Sequence, residues 1–344
     1  VSRIAITGTA SYLGGRLLRR LVESRGRETV VAVDITTPPT TLHGVRYRMV
    51  DLTLPGADRR LVDVFEEEHV ETVVHAAFFT SPRRDAAYSH ELESIGTMHV
   101  AAAAAAGGVR HLVLRSFTAV YGARGQNPNF LNEDHRPDAH ARLAWVRDKV
   151  EAEEHAFSFA HRYPSLGVTV LRFATLLGPG CHTFYTRLFS KRVVPVLLGY
   201  DPLVQLLHPD DAIDAAEKAL VRGPSGVVNV VPRGTMSLLT MLHLADKLTV
   251  AVPHVAAYPL ADMWWGTGLG EAPGGFIDYV RYLFVADGEK ARRELGFDAR
   301  HSTRDALVSF LEYRYPDAAR LARRQREREE AIVQEKEKAQ EAHA

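Results

Sequence analysis

The chain has 344 residues, 46 % of them hydrophobic, and 42 Lys and Arg balance 42 Asp and Glu. That neutral balance points away from nucleic acid as a partner, and the apolar runs are too short to cross a bilayer. Its one cysteine, Cys181, excludes an internal disulfide and suits a reducing compartment, so a cytoplasmic protein without a signal sequence is expected, large enough for one large or two unequal domains.

Ile4, Ala5 and Ile6 read as a short buried strand. Gly8-Thr9-Ala10-Ser11-Tyr12-Leu13-Gly14 then turns into a helix carrying Leu17, Leu18 and Leu21. Such a turn presents backbone N–H groups at a helix N-terminus, whose partial positive charge suits a pyrophosphate. The dinucleotide fingerprint asks for glycine at three positions, filled here by Gly8, Ser11 and Gly14. Serine in the middle still permits a fairly close backbone approach. The next strand, 29–33, ends in Asp34, where a carboxylate can bond the ribose hydroxyls of NAD. It would repel a 2′-phosphate, and no arginine follows directly, so NAD is expected rather than NADP. The competing reading is a strand-end aspartate in a cofactor-free α/β domain.

A Thr/Pro-rich loop covers 36–41, and Tyr47-Arg48-Met49-Val50 leads into Asp51-Leu52. A helix is expected at 61–65, a buried strand at 70–76, and a long helix at 89–106 that stops at Gly107-Gly108. The alanines at 101–106 suit close packing of that helix on a sheet. Strand 111–114, helix 145–160 and strand 168–172 continue the alternation, which predicts a doubly wound parallel sheet of Rossmann type.

The rhythm breaks near Gly178. His208-Pro209-Asp210-Asp211 opens a helix through 220 with an aspartate as N-cap. A strand follows at 227–231, and a helix at 237–248 capped by Ser237. Residues 258–275, rich in Trp, Met, Gly and Pro, read as a loop or lid, with Trp264-Trp265 either covering a substrate or packing between lobes. Helices are expected at 289–295 and 303–313. The expected division is a Rossmann domain at 1–177, joined again by 206–231, a smaller substrate lobe at 178–316, and a charged helical tail at 317–344.

Together these segments resemble an extended short-chain dehydrogenase/reductase of the NAD-dependent epimerase/dehydratase type, in an atypical form. The resemblance runs from Ile4 to about Tyr313. It is carried by the 8–14 turn, Asp51-Leu52, Val73-Val74-His75-Ala76-Ala77, Ser116-Phe117-Thr118-Ala119-Val120-Tyr121-Gly122, Lys149, Leu171-Arg172-Phe173, Gly178-Pro179-Gly180 and His208-Pro209-Asp210-Asp211. It is most similar to a UDP-glucose 4-epimerase-like subgroup. The resemblance implies that Asp51 faces the adenine, that Ala76 and Ala77 line the cofactor, that Lys149 holds the nicotinamide ribose, and that Asp211 is structural. A homodimer through the helices at 89–106 and around Lys149 is also implied.

The family pairs Tyr and Lys four residues apart on one helix face, and the lysine lowers the tyrosine pKa for proton exchange. Four residues before Lys149 stands Trp145, and none of the twelve tyrosines precedes a lysine by four. An indole N–H only donates. The Ser/Thr partner is expected three residues before Val120, where Phe117 stands; Ser116 and Thr118 flank it, with side chains on the opposite strand face unless the backbone bulges. Val204 occupies the position of the usual diphosphate-binding arginine, leaving Arg281, Arg187 or Arg192 as substitutes. His135 or His140 is a candidate titrating group, and Cys181-His182 a conceivable dyad; no metal site is expected. Three functions stay open. One is an NAD-linked oxidoreductase on a sugar-nucleotide-like or other hydroxyl or carbonyl substrate. The others are a non-catalytic NAD(H)-binding sensor or scaffold, and a reductase of a hydrophobic substrate.

Overall fold

A computed structural model describes residues 3–36, 41–223 and 225–316. The first half runs β1 (Arg3–Thr7), α1 (Tyr12–Arg25), β2 (Val30–Asp34), β3 (Arg46–Met49), α2 (Ala57–Glu67), β4 (Val70–His75), α3 (Ala86–His90), α4 (Gly96–Ala106), β5 (His111–Phe117), α5 (Ala144–Arg162) and β6 (Gly167–Phe173). The second half runs β7 (Thr175–Leu176), α6 (Phe184–Ser190), β8 (Val193–Leu197), β9 (Leu203–Val204), β10 (Leu206–Leu207), α7 (Pro209–Arg222), β11 (Gly226–Val230), β12 (Met236–Ser237), α8 (Leu238–Leu244), β13 (Leu248–Val252), α9 (His254–Gly266) and α10 (Thr303–Arg314).

Seven strands form one parallel sheet in the order β11-β6-β5-β4-β1-β2-β3. Strands covered on both faces read as continuous apolar runs, which is why Val30-Val31-Ala32-Val33 and Leu112-Val113-Leu114 do not alternate with polar residues. One face is covered by α2, α4 and α5, where Phe65, Leu61, Val100 and Val150 are buried; the other by α1 and α7, through Leu17, Leu21, Ala215 and Ala219. Ala101, Ala103 and Ala104 are fully buried, so small side chains let α4 lie close to its neighbours. The chain leaves β1 toward β2 and β3, then returns past β1 to β4 and β5. The crevice at the carboxyl ends of β1 and β4 is therefore the switch point at which such sheets take ligands. A third apolar cluster, around Tyr185, Phe189, Leu242 and Phe310, packs α6, α8 and α10 together.

Several expected elements differ. The stretch expected as loop from 258 contains most of α9. One proline, Pro259, removes a single ladder bond, and the alanine-, leucine- and methionine-rich surroundings outweigh it. The cap of α7 is His208, not an aspartate: Pro209 takes the first helical position, and the His208 ring accepts the Asp210 N–H at 3.3 Å. Asp210 and Asp211 then sit in the first turn, where they favour the helix dipole. The helix capped by Ser237 ends at Leu244, before Asp246 at φ 54°, and 248–252 becomes a strand beside β8. Between α3 and α4 the chain passes through one wide π-type turn, Glu91–Ile95. The tail at 317–344 and most of the 36–41 loop lie outside the described residues. Among those described, no helix is long and apolar enough to cross a membrane.

Candidate functional site

A cavity of about 500 Å³ opens at the switch point. Its wall begins with the turn before α1. Gly8 has φ +79°, and a Cβ there would stand 2.6 Å from Ala77 Cα. A Cβ on Gly14 would stand 2.2 Å from the Gly8 carbonyl oxygen. Only glycine lets this turn lie against the end of β4. Ser11 caps α1: its hydroxyl accepts from Gly14 N–H at 3.1 Å and donates to the Ala76 carbonyl at 3.4 Å. Asp34 closes the other side, its carboxylate accepting from Ala10 N–H at 2.7 Å and Ile35 N–H at 2.8 Å. Thr9 Oγ1 is buried without a partner among the described residues.

Of the residues expected around the cofactor, Gly8, Ser11, Tyr12, Asp34, Leu52 and Ala77 line this cavity. Gly14 and Ala76 support it from behind, while Leu13 is buried in the core on the α1 side. Asp51 does not line the cavity; its carboxylate closes a turn onto Thr53 N–H at 2.9 Å and Thr53 Oγ1 at 2.7 Å, although Leu52 beside it does face inward. The glycine cradle, the helix N-terminus and Asp34 fit a dinucleotide. Asp34→Ala should weaken NAD binding at least tenfold in a calorimetric titration, and unaltered affinity would take Asp34 out of the site.

The expected chemistry end differs more. Lys149 lies off the cavity wall. Its side chain has no exposure, and Nζ bonds Glu93 Oε2 at 2.7 Å. Nζ stands 4.3 Å from the centre of the Trp145 ring and 5.0 Å from that of Phe117. Burial pulls the Lys149 ammonium down to about 8 and pushes the Glu93 carboxyl up, against their mutual attraction. Glu93 also accepts the Phe79 N–H at 2.5 Å. The indole N–H of Trp145 donates to the Phe79 carbonyl at 3.1 Å, and its ring packs on Phe117 at 5.9 Å and Phe276 at 6.5 Å. Ser116 turns away: its hydroxyl donates to Glu153, which is paired with Arg172. Thr118 is buried at the start of a tight turn and does not line the cavity. Neither hydroxyl flanking Phe117 is on the cavity wall.

Of the remaining candidates, Cys181 and His182 both line the cavity. Burial raises the Cys181 thiol to about 11 and its side-chain hydrogen bond is with Tyr12, while His182 is exposed, so they form no dyad. His135 and His140 are exposed and off the cavity wall. Val204 is buried. Arg187 pairs with Glu271 at 2.7 Å, Arg192 is exposed, and Arg281 is braced by Tyr200 at 2.6 Å and Tyr258 at 3.2 Å. Trp264 is 48 % exposed, whereas Trp265 lies under the Arg84 guanidinium at 4.9 Å. His90, Asp148 and Glu151 bring three ligand atoms within 4.8 Å of one another, a grouping that sequence spacing conceals.

Two residues escaped the sequence reading. Glu93 has no local signal, because its partner lies on another helix. Arg115 lines the cavity, and a charged residue inside an apolar strand was its signal.

The model of the NAD dependent epimerase/dehydratase family matches residues 4–231. An uncharacterized protein of Mycobacterium tuberculosis is 30 % identical over 314 residues, spanning 90 % of this chain and 83 % of that protein. A 3-diazoavenalumate denitrifying reductase of a Streptomyces species is 31 % identical over 285 residues, covering 74 % of this chain and 87 % of the relative. Among solved structures, WbmG of Bordetella bronchiseptica in complex with NAD and UDP superposes with a TM-score of 0.70 at 22 % identity, over 92 % of this chain and 95 % of WbmG.

Proposed function

We propose, for a chain that belongs to the NAD dependent epimerase/dehydratase family and shares its cofactor NAD, a reductase of an apolar, electrophilic substrate that works without a side-chain proton relay. One observation supports this reading: the only polar atom of Trp145, four residues before Lys149, is committed to the Phe79 carbonyl, and the reading takes Trp145 to stand in the place of the family's proton-shuttling tyrosine.

In its reduced form NAD supplies a hydride when bound. The turn around Gly8 and Ser11 would hold its pyrophosphate, and Asp34 its ribose hydroxyls. Phe78 and Phe79 line the cavity, with Phe117 and Trp145 packed behind, so a planar apolar substrate meets ring faces. Epimerisation of a sugar requires a group that takes the hydroxyl proton. Trp145 does not titrate, and Lys149 is sealed against Glu93. An aryl diazonium ion takes the hydride and becomes arene and N2 with no proton to move, and the enolate left by hydride addition to an enone takes its proton from solvent, so neither needs an acid or base from the protein. The name of the Streptomyces relative, a reductase, agrees with this reading. The sealed lysine also suits a non-catalytic NAD(H) sensor, so the test separates the two.

Deuterium transfer from 4-deuterated NADH to a panel of aromatic enones and aryl diazonium ions, read by mass spectrometry, decides the matter. Transfer to a panel member, with UDP-glucose and UDP-galactose left unchanged in the presence of NAD, is expected. Tight NADH binding with no transfer would favour the sensor, and UDP-sugar epimerisation would overturn both readings. Trp145→Tyr should leave UDP-sugar turnover at background, because Lys149 stays behind Phe117; a gain of tenfold or more would restore the epimerase reading.

A further inference from the structure

Arg115 lies two residues before Phe117 on β5, so both side chains leave the strand on one face. It is 3 % exposed and forms part of the cavity wall. Its Nη1 makes only long contacts, 3.5 Å to the Ala76 carbonyl and 3.4 Å to that of Phe78, and its guanidinium lies 4.9 Å from the Phe117 ring centre. Nε and Nη2 have no partner among the described residues.

The fold pairs a buried arginine elsewhere. Arg172, on the neighbouring strand β6, is equally buried and holds the Glu153 carboxylate, with Nε 3.0 Å from Oε1. Arg115 bonds no carboxylate among the described residues; Glu93, whose charge it feels, is already paired with Lys149, and burial lowers the guanidinium to about 10. A buried cation without a counter-ion is unfavourable unless something else supplies the charge. Nε–H and Nη2–H are adjacent on one edge of the guanidinium and form the fork that grips two oxygens of one anion. The Ala76 carbonyl joins Arg115 Nη1 to the Ser11 hydroxyl, which places the guanidinium between the helix N-terminus and the aromatic wall.

We propose that Arg115 is an oxyanion receptor, taking a carboxylate or phosphate of a ligand held in this cavity. The inference rests on the reading of the cavity as the shared site of NAD and an aromatic substrate. A carboxylate would come from that substrate, a phosphate from the cofactor.

Equilibrium binding of cinnamate, neutral cinnamamide and NADH to the full chain, by calorimetry and thermal shift, tests it in wild type, Arg115→Met and Arg115→Lys. Ligand-free Arg115→Met should melt no lower than wild type, since it loses a buried cation held by long contacts and bonded to no carboxylate among the described residues. If the anion is the substrate's, wild type binds cinnamate at least tenfold more tightly than cinnamamide, Arg115→Met erases the difference, and Arg115→Lys keeps part of it. If the anion is the cofactor's, Arg115→Met weakens NADH at least tenfold and cinnamate is not preferred. Equal binding of both anions by wild type and Arg115→Met would overturn the proposal, as would wild type that binds neither or a ligand-free Arg115→Met that melts lower. None of these readouts needs turnover. Arg115-dependent binding with no deuterium transfer would therefore sink the reductase reading alone, and transfer with no Arg115 dependence would sink the receptor alone.

Discussion

Glu93→Ala is expected to destabilise the fold by about 3–5 kcal/mol, the range found when one partner of a buried ion pair is removed. Lys149 and Glu93 both have no side-chain exposure, so removing the carboxylate leaves a buried ammonium without its counter-ion. The Phe79 N–H loses its acceptor at the same time, as does one edge of the cavity wall. The Trp145 and Phe117 rings give the ammonium some compensation, and proton loss from Lys149 gives more, because burial already holds it at about 8. The double variant Glu93→Leu with Lys149→Met should recover most of the loss, since apolar groups of similar volume replace a buried pair at little cost. Urea unfolding of the single and double variants measures this. A single-variant loss below about 1 kcal/mol would mean that solvent reaches the pair.

Gly8→Ala should cost at least about 3 kcal/mol and reduce NADH affinity more than a hundredfold. Two effects combine. The residue needs a positive φ, a strain of about 1–3 kcal/mol for other residues. Its Cβ would also stand 2.6 Å from both the N and Cα of Ala77, so the turn has to lift away from β4. Gly56 separates the two effects: its φ is +81° and a Cβ there meets nothing within 4 Å. Gly56→Ala should show the strain alone and leave NADH affinity unchanged. Thermal melts and NADH titrations of both variants check this. Equal effects at the two positions would remove the close approach of Gly8 to Ala77 from the argument.

The sheet was readable because its signals are local. Uninterrupted apolar runs mark strands covered on both faces, glycines mark the turn pressed on β4, and an aspartate at a strand end marks the crevice. The C-terminal half was less readable. Pro259 and its glycines imitate a loop where good helix formers prevail, and 248–252 becomes a strand only by pairing with β8.

For the site, the sequence by itself determined residue types and short spacings: Gly8 and Gly14 around Ser11, Asp34 after β2, Trp145 four residues before Lys149, and Phe117 three before Val120. Only the tertiary structure decided which charges meet. Lys149 faces Glu93 rather than the cavity, Ser116 faces Glu153, Arg172 holds that same carboxylate, and Arg115 on the next strand bonds none among the described residues. The physical reason is that an ion pair or an unpaired cation depends on two groups far apart in the chain reaching one desolvated place. Residue identity states the charge; packing alone states what stands opposite it.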